Sequence, residues 1–175
     1  MYSQYLLSLA VLTANLVSAS RNPTYFNLTA ISAVNNVSLF QCWQLTTPIT
    51  SSAQNGLSGS MVQQLGALNG NATYGYLPAN FPGANHPAPG NQYVVVLSGK
   101  MRVTVPNTTE RAIFTGGANS VIIAADTADK SIIGHVTGTL DEPVAALQIP
   151  FLNGQIPPYK VLYNGTCKSR ELNFC

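Results

Sequence analysis

The residues with the clearest chemical potential are two histidines, His86 and His135, the only imidazoles in the chain. Imidazole changes charge near neutral pH, so it serves as acid, base or metal ligand. His86 opens the stretch His86-Pro87-Ala88-Pro89-Gly90-Asn91-Gln92, and His135 follows Gly134 at the end of an apolar run. Gln92 adds an amide with both donors and an acceptor. If the two histidines converge there is a site. If they do not, little else in the sequence looks like chemistry. Asp126 is the one carboxylate offered near them, and Asp126-Thr127 also reads as a turn device, which is the reading taken here. Asp141 and Glu142 stand beside Pro143 in a turn and read as solvated. No serine lies in a G-x-S-x-G elbow, and no C-x-x-C pair exists for a metal.

The elements that must position these residues read as β. Ser38 to Leu45, Ala72 to Leu77, Gln92 to Ser98, Met101 to Val105, Val121 to Ala125, Ser131 to Thr137 and Val144 to Ile149 are short and rich in Val, Ile, Leu, Thr or aromatics. Turn residues bound them, which predicts a sandwich or barrel. One short helix is expected over Met61 to Leu68. Pro78 to Asn91 holds four prolines and cannot be a central strand. Pro87 and Pro89 bias the residues before them towards extended backbone. If the pleat continues, His86, Ala88, Gln92, Val94, Val96 and Ser98 share one face, and Tyr93, Val95 and Leu97 the other. Ile133, His135 and Thr137 share a face of the second stretch. Trp43 and Tyr93 read as core aromatics, with Trp43 expected to pack near a bridge from Cys42.

Residues 1–19 read as an export signal. Tyr5 to Val17 is mostly apolar but too short to span a bilayer, and Val17-Ser18-Ala19 offers small residues for cleavage. Residues 20–175 then form one domain, with its core over 38–150 and a C-terminal tail over 151–175. No later segment reads as a membrane span. Charged residues are 8% of the chain with net charge +2, scattered without a basic face, so neither nucleic acid nor a membrane is an expected partner. Five N-x-Ser/Thr acceptors, Asn27, Asn36, Asn71, Asn107 and Asn164, suggest a secreted extracellular glycoprotein. Three cysteines permit one bridge. Cys42–Cys167 is preferred, because it ties the tail to a strand; the alternative is a local Cys167–Cys175 link.

The pattern from His86 through Gln92 to Gly99 resembles the first cupin motif, H-x-H-x(3,4)-E-x(6)-G. Gly117 to Thr137, ending Gly134-His135-Val136-Thr137, resembles the second, with His135 matching its histidine. The chain is similar to small secreted cupin-like proteins of filamentous fungi through Cys42-Trp43-Gln44 and Leu147-Gln148-Ile149-Pro150. The resemblance spans roughly residues 38 to 167 and implies a single jelly-roll β-barrel with at most short helices. It implies His86, Gln92 and His135 as ligand-binding residues, His86 and His135 as candidate catalytic residues, and a homodimer as the family's common assembly. A divalent metal on His86, Gln92 and His135 is the family's other implication. It is disfavoured, because Ala88 and Gln92 replace a histidine and a carboxylate. The leading expectation is a pocket that binds a small molecule. The alternatives are a cupin-type enzyme (isomerase, lyase, cyclase or oxygenase) and a non-catalytic protein acting by surface contacts.

Overall fold

The computed structural model describes residues 25–172, so the expected signal at 1–19 and Cys175 lie outside the described residues. Thirteen strands make up the fold: β1 (Tyr25–Val34), β2 (Val37–Pro48), β3 (Thr50–Ser51), β4 (Met61–Val62), β5 (Thr73–Leu77), β6 (Asn85–His86), β7 (Gln92–Ser98), β8 (Lys100–Thr104), β9 (Arg111–Thr115), β10 (Val121–Ala124), β11 (His135–Thr139), β12 (Val144–Pro150) and β13 (Tyr159–Asn164). The larger sheet has seven strands in the order β13-β2-β1-β10-β7-β12-β5, and the smaller has four, β6-β11-β8-β9. The β3–β4 pair stands apart. The described residues are thus all-β, with helix limited to single 3-10 turns at Leu152–Gly154 and Ser169–Glu171.

Three expectations change. Among the described residues no ladder joins the two sheets, so they face each other as separate layers and no barrel closes. Gln92 to Ser98 is a strand as expected, but the pleat does not continue back to His86, which lies on a separate strand in the other sheet. Pro87 and Pro89 lack the N–H a ladder needs, so the chain leaves the smaller sheet at His86 and joins the larger at Gln92. Met61 to Leu68 is not helical. Met61 and Val62 pair with Ser51 and Thr50, and Gly66 takes φ +84°, outside helical space. The sheet also extends past 38–150 on both sides. β1 pairs with β2 and runs parallel to β10, and β13 in the tail pairs with β2. Asn35 and Asn36, both at positive φ, close the β1–β2 hairpin as a two-residue turn.

The larger sheet buries both faces. Its inner face meets the smaller sheet through Phe40, Val96, Ile122 and Val144 against Met101, Val103 and Phe114. Its outer face carries a second cluster of Leu28, Trp43, Leu45, Tyr93, Ile123 and Phe151, packed against Leu65 and Ile156. Tyr93 donates its hydroxyl to the Leu65 carbonyl at 3.2 Å, and burial pushes its pKa well up, so it stays a neutral donor. Cys42 is bonded to Cys167. Strand alternation puts Trp43 on the opposite face from this bridge. There it stacks on Tyr159 with ring centroids 3.6 Å apart. Behind the bridge, Glu171 accepts from the Tyr163 hydroxyl and the Lys168 N–H, and its backbone carbonyl accepts from Asn27. The Tyr163 hydrogen bond is the main cause that holds the Glu171 carboxyl below its usual range.

Candidate functional site

His86 and His135 meet. β6 and β11 pair antiparallel with His135 opposite His86, and the two rings lie 4.6 Å apart, tilted by 51°. Directly opposite residues on a ladder bring their side chains together on one face. Gly134 makes the approach possible. It takes φ +77°, and a Cβ there would run into the backbone of His86 and Pro87.

The two imidazoles are held differently. His86 is exposed, and its Nδ1 lies 2.9 Å from the Ala84 carbonyl. A carbonyl only accepts, so Nδ1 carries the hydrogen and Nε2 of the neutral ring is an acceptor. His135 is buried, with Nδ1 2.8 Å from Asp126 Oδ2. Its Nδ1 also donates, so in the neutral ring its Nε2 also accepts. No described residue hydrogen-bonds either Nε2.

Behind His135 runs a directional relay. Ser38 donates to Asp126 Oδ2 at 2.6 Å. That commits its one proton, so the 2.7 Å contact between Ser38 and Ser131 is donated by Ser131. Ser131 in turn accepts the Gly134 N–H at 3.0 Å. The order is Gly134 to Ser131 to Ser38 to Asp126, with His135 donating to the same carboxylate oxygen. Asp126 is fully buried, and its Oδ1 has no hydrogen-bond partner. The turn reading of Asp126 is therefore corrected: its carboxylate faces inward and orients His135.

A cavity of about 450 Å³ opens in front of the two rings, within the range of about 300–1,000 Å³ common for small-molecule sites. Gln92, Val94, Ala88 and Thr137 line it with the histidines, so these residues share the cavity although the pleat is broken between His86 and Gln92. Gln92 is buried at the start of β7, and no described residue bonds its amide. Apart from the Gln148 amide, the remaining wall is small or apolar and includes Ala124, Ala146, Gly75, Ile31, Leu77, Phe81 and Met101. Among the described residues no lysine, arginine or carboxylate lines it. Ile133 is excluded from this face. β11 starts only at His135, and Ile133 lies outside it, exposed.

The donor set does not suit a divalent ion. It consists of two imidazole Nε2 atoms and a neutral amide, while Asp126, the nearby carboxylate, is committed to His135 and Ser38. Among the described residues no group of three or more His, Cys, Asp or Glu is placed to hold a metal. Ser38 and Ser131 gave no sign of this role in the sequence. Asp126 gave one, as the single carboxylate offered near the histidines. Comparison of the chain with protein-family models, curated proteins and solved structures finds no match.

Proposed function

We propose that the protein is a secreted, cupin-like glycoprotein whose cavity binds a small, largely apolar molecule oriented by His86, Gln92 and His135. The observation that carries this reading is the convergence of the three side chains, from β6, β7 and β11, on one cavity whose wall is otherwise mostly small and apolar, with Thr137 and Gln148 as its further polar groups. Such a wall supplies most of the binding energy, and a few polar groups set orientation. Two facing sheets, with the chain crossing repeatedly between them from β6 to β12 and the β8–β9 hairpin staying in the smaller, support a jelly-roll reading of the fold. The open β5 edge, with exposed Tyr74 and Tyr76, suits pairing into a homodimer. Asn36, Asn71, Asn107 and Asn164 are exposed and suit glycans. Asn27 is half-buried and donates to the Glu171 carbonyl, so it suits one poorly. Glycopeptide mass spectrometry with Asn27 occupied and the other four bare would overturn that assignment.

A second reading has its own observation. The Asp126–His135 hydrogen bond is the arrangement that orients an imidazole as a base and stabilises the imidazolium formed when Nε2 takes a proton. A ligand with an acidic proton at Nε2 would then be a substrate for an isomerase or lyase. Native mass spectrometry against a library of neutral aromatic and alicyclic compounds tests the binding reading. One adduct per chain is expected, lost in the His86→Gln/His135→Gln double variant with an unchanged unfolding midpoint. Adducts that persist in the double variant would overturn it and favour surface contacts. Conversion of a bound compound would select the enzyme.

A further inference from the structure

We infer that the ligand of this cavity is a neutral apolar molecule presenting two neighbouring hydroxyl groups, one to His86 Nε2 and one to His135 Nε2. This rests on the small-molecule reading of the cavity and narrows it to a chemical class. The argument is one of tautomers. The Ala84 carbonyl can only accept, so it fixes the hydrogen of His86 on Nδ1. The Asp126 carboxylate does the same for His135, and Ser38 and Ser131 hold it in place. Two side-by-side rings, 4.6 Å apart, therefore both offer acceptors to the cavity. A ligand must bring donors to match them, because an acceptor placed there would face a lone pair and lose its hydration unpaid.

Charge narrows the class further. Among the described residues no lysine or arginine lines the cavity, so beside neutral imidazoles a carboxylate or phosphate would enter without a counter-charge. Asp126 is sealed behind His135 and does not line the cavity, so an ammonium would enter without one either. Neutral hydroxyls remain. Ala88, Ala124, Ala146 and Gly75 leave room beside the rings for the carbon skeleton that bears them. Gln92 can satisfy the oxygen lone pairs with its amide N–H groups.

The test uses three probes on the full chain at neutral pH: 2,3-dihydroxynaphthalene, 2,3-dimethoxynaphthalene and naphthalene, titrated by their fluorescence. Methylation keeps the skeleton and the oxygens but removes both donors. The diol is expected to bind about 100-fold more tightly than the dimethoxy ether, a factor of about ten for each hydrogen bond. Equal affinities for diol and ether would overturn this inference and leave the small-molecule reading standing. No saturable binding of any of the three would overturn both. His86→Phe keeps a ring at an exposed position, so it should fold. It is expected to weaken the diol about 10-fold and leave naphthalene unchanged. Unchanged diol affinity would overturn the pairing of two hydroxyls with two imidazoles.

Discussion

The two faces of the larger sheet differ in the size of what they carry. On the outer face Trp43, Tyr93 and Phe151 fill the space against Leu65 and Ile156. On the inner face, near β6 and β11, the larger sheet carries Ala124, Ala146 and Gly75, with Ala88 of the β6–β7 connection beside them, and a cavity of about 450 Å³ is left. A single strand, β7, serves both: Tyr93 points to the packed side, and Gln92 and Val94 to the hollow one. Stability and binding are thereby separated by the thickness of one sheet. Protein interiors pack like organic crystals, so a hollow of this size is lost contact energy on the inner side. The outer face and the disulfide must offset it.

The largest expected effect follows from the packed face. Phe151 is 2% exposed and meets Tyr93 edge-on at 4.7 Å. Phe151→Ala is expected to cost about 3–5 kcal/mol in urea unfolding, while the folded fraction keeps its ligand affinity. A loss of affinity with little loss of stability would break the division between the faces. Next comes the bridge. Cys42–Cys167 closes a separation of 125 residues, so a Cys42→Ala/Cys167→Ala variant is expected to lose about 2–4 kcal/mol. Its unfolding midpoint should match that of the reduced wild type; a wild type unaffected by reductant would contradict the contribution assigned to the bridge.

The same contrast explains what was legible in the sequence. β7 reads clearly because Gln92 to Ser98 is a β-rich run bounded by Asn91 and Gly99. The grouping of His86, Gln92 and His135 was not reachable from extended geometry alone: the pleat breaks at Pro87, and only the cupin resemblance implied the three together. β1 was not legible, because Asn27, Thr29 and Ser32 interrupt its apolar residues, and its value lies in long-range pairing with β10. β13 was hidden likewise, as a strand in a segment read as tail. Asp126 was legible as a residue but not as a partner. The order of Gly134, Ser131, Ser38 and Asp126 exists only once β2 is brought beside the 126–134 loop. Local signals give strands and faces; a hydrogen-bond relay between distant serines has no local signal.

A matched pair of substitutions sharpens the comparison further. Ala30 lies on the filled outer face and is fully buried; Ala146 lines the cavity. Ala30→Leu must displace neighbours and is expected to destabilise by about 1–3 kcal/mol. Ala146→Leu adds the same carbons into open space, so stability is expected to stay within about 1 kcal/mol while ligand affinity falls. Equal costs at the two positions in urea unfolding would show that the cavity wall is as filled as the outer core.

The last substitution is the one aimed most directly at the site. Gly134 takes φ +77°, and its Cα faces the backbone of His86 and Pro87. Gly134→Ala carries a conformational cost of about 1 kcal/mol for the left-handed backbone, and the overlap of its methyl group with the His86 and Pro87 backbone adds to it. The methyl group also needs room, and β6 is the element that can give it. β6 is two residues long at the edge of the smaller sheet, so it separates from β11 before the core yields. His135 keeps its hydrogen bond to Asp126, but His86 no longer stands opposite it. Diol binding by the folded fraction should therefore fall about 10-fold, as in His86→Phe, because one of the two hydrogen bonds is lost. Diol affinity preserved in Gly134→Ala would mean that the close pairing of β6 with β11 is not what forms the site.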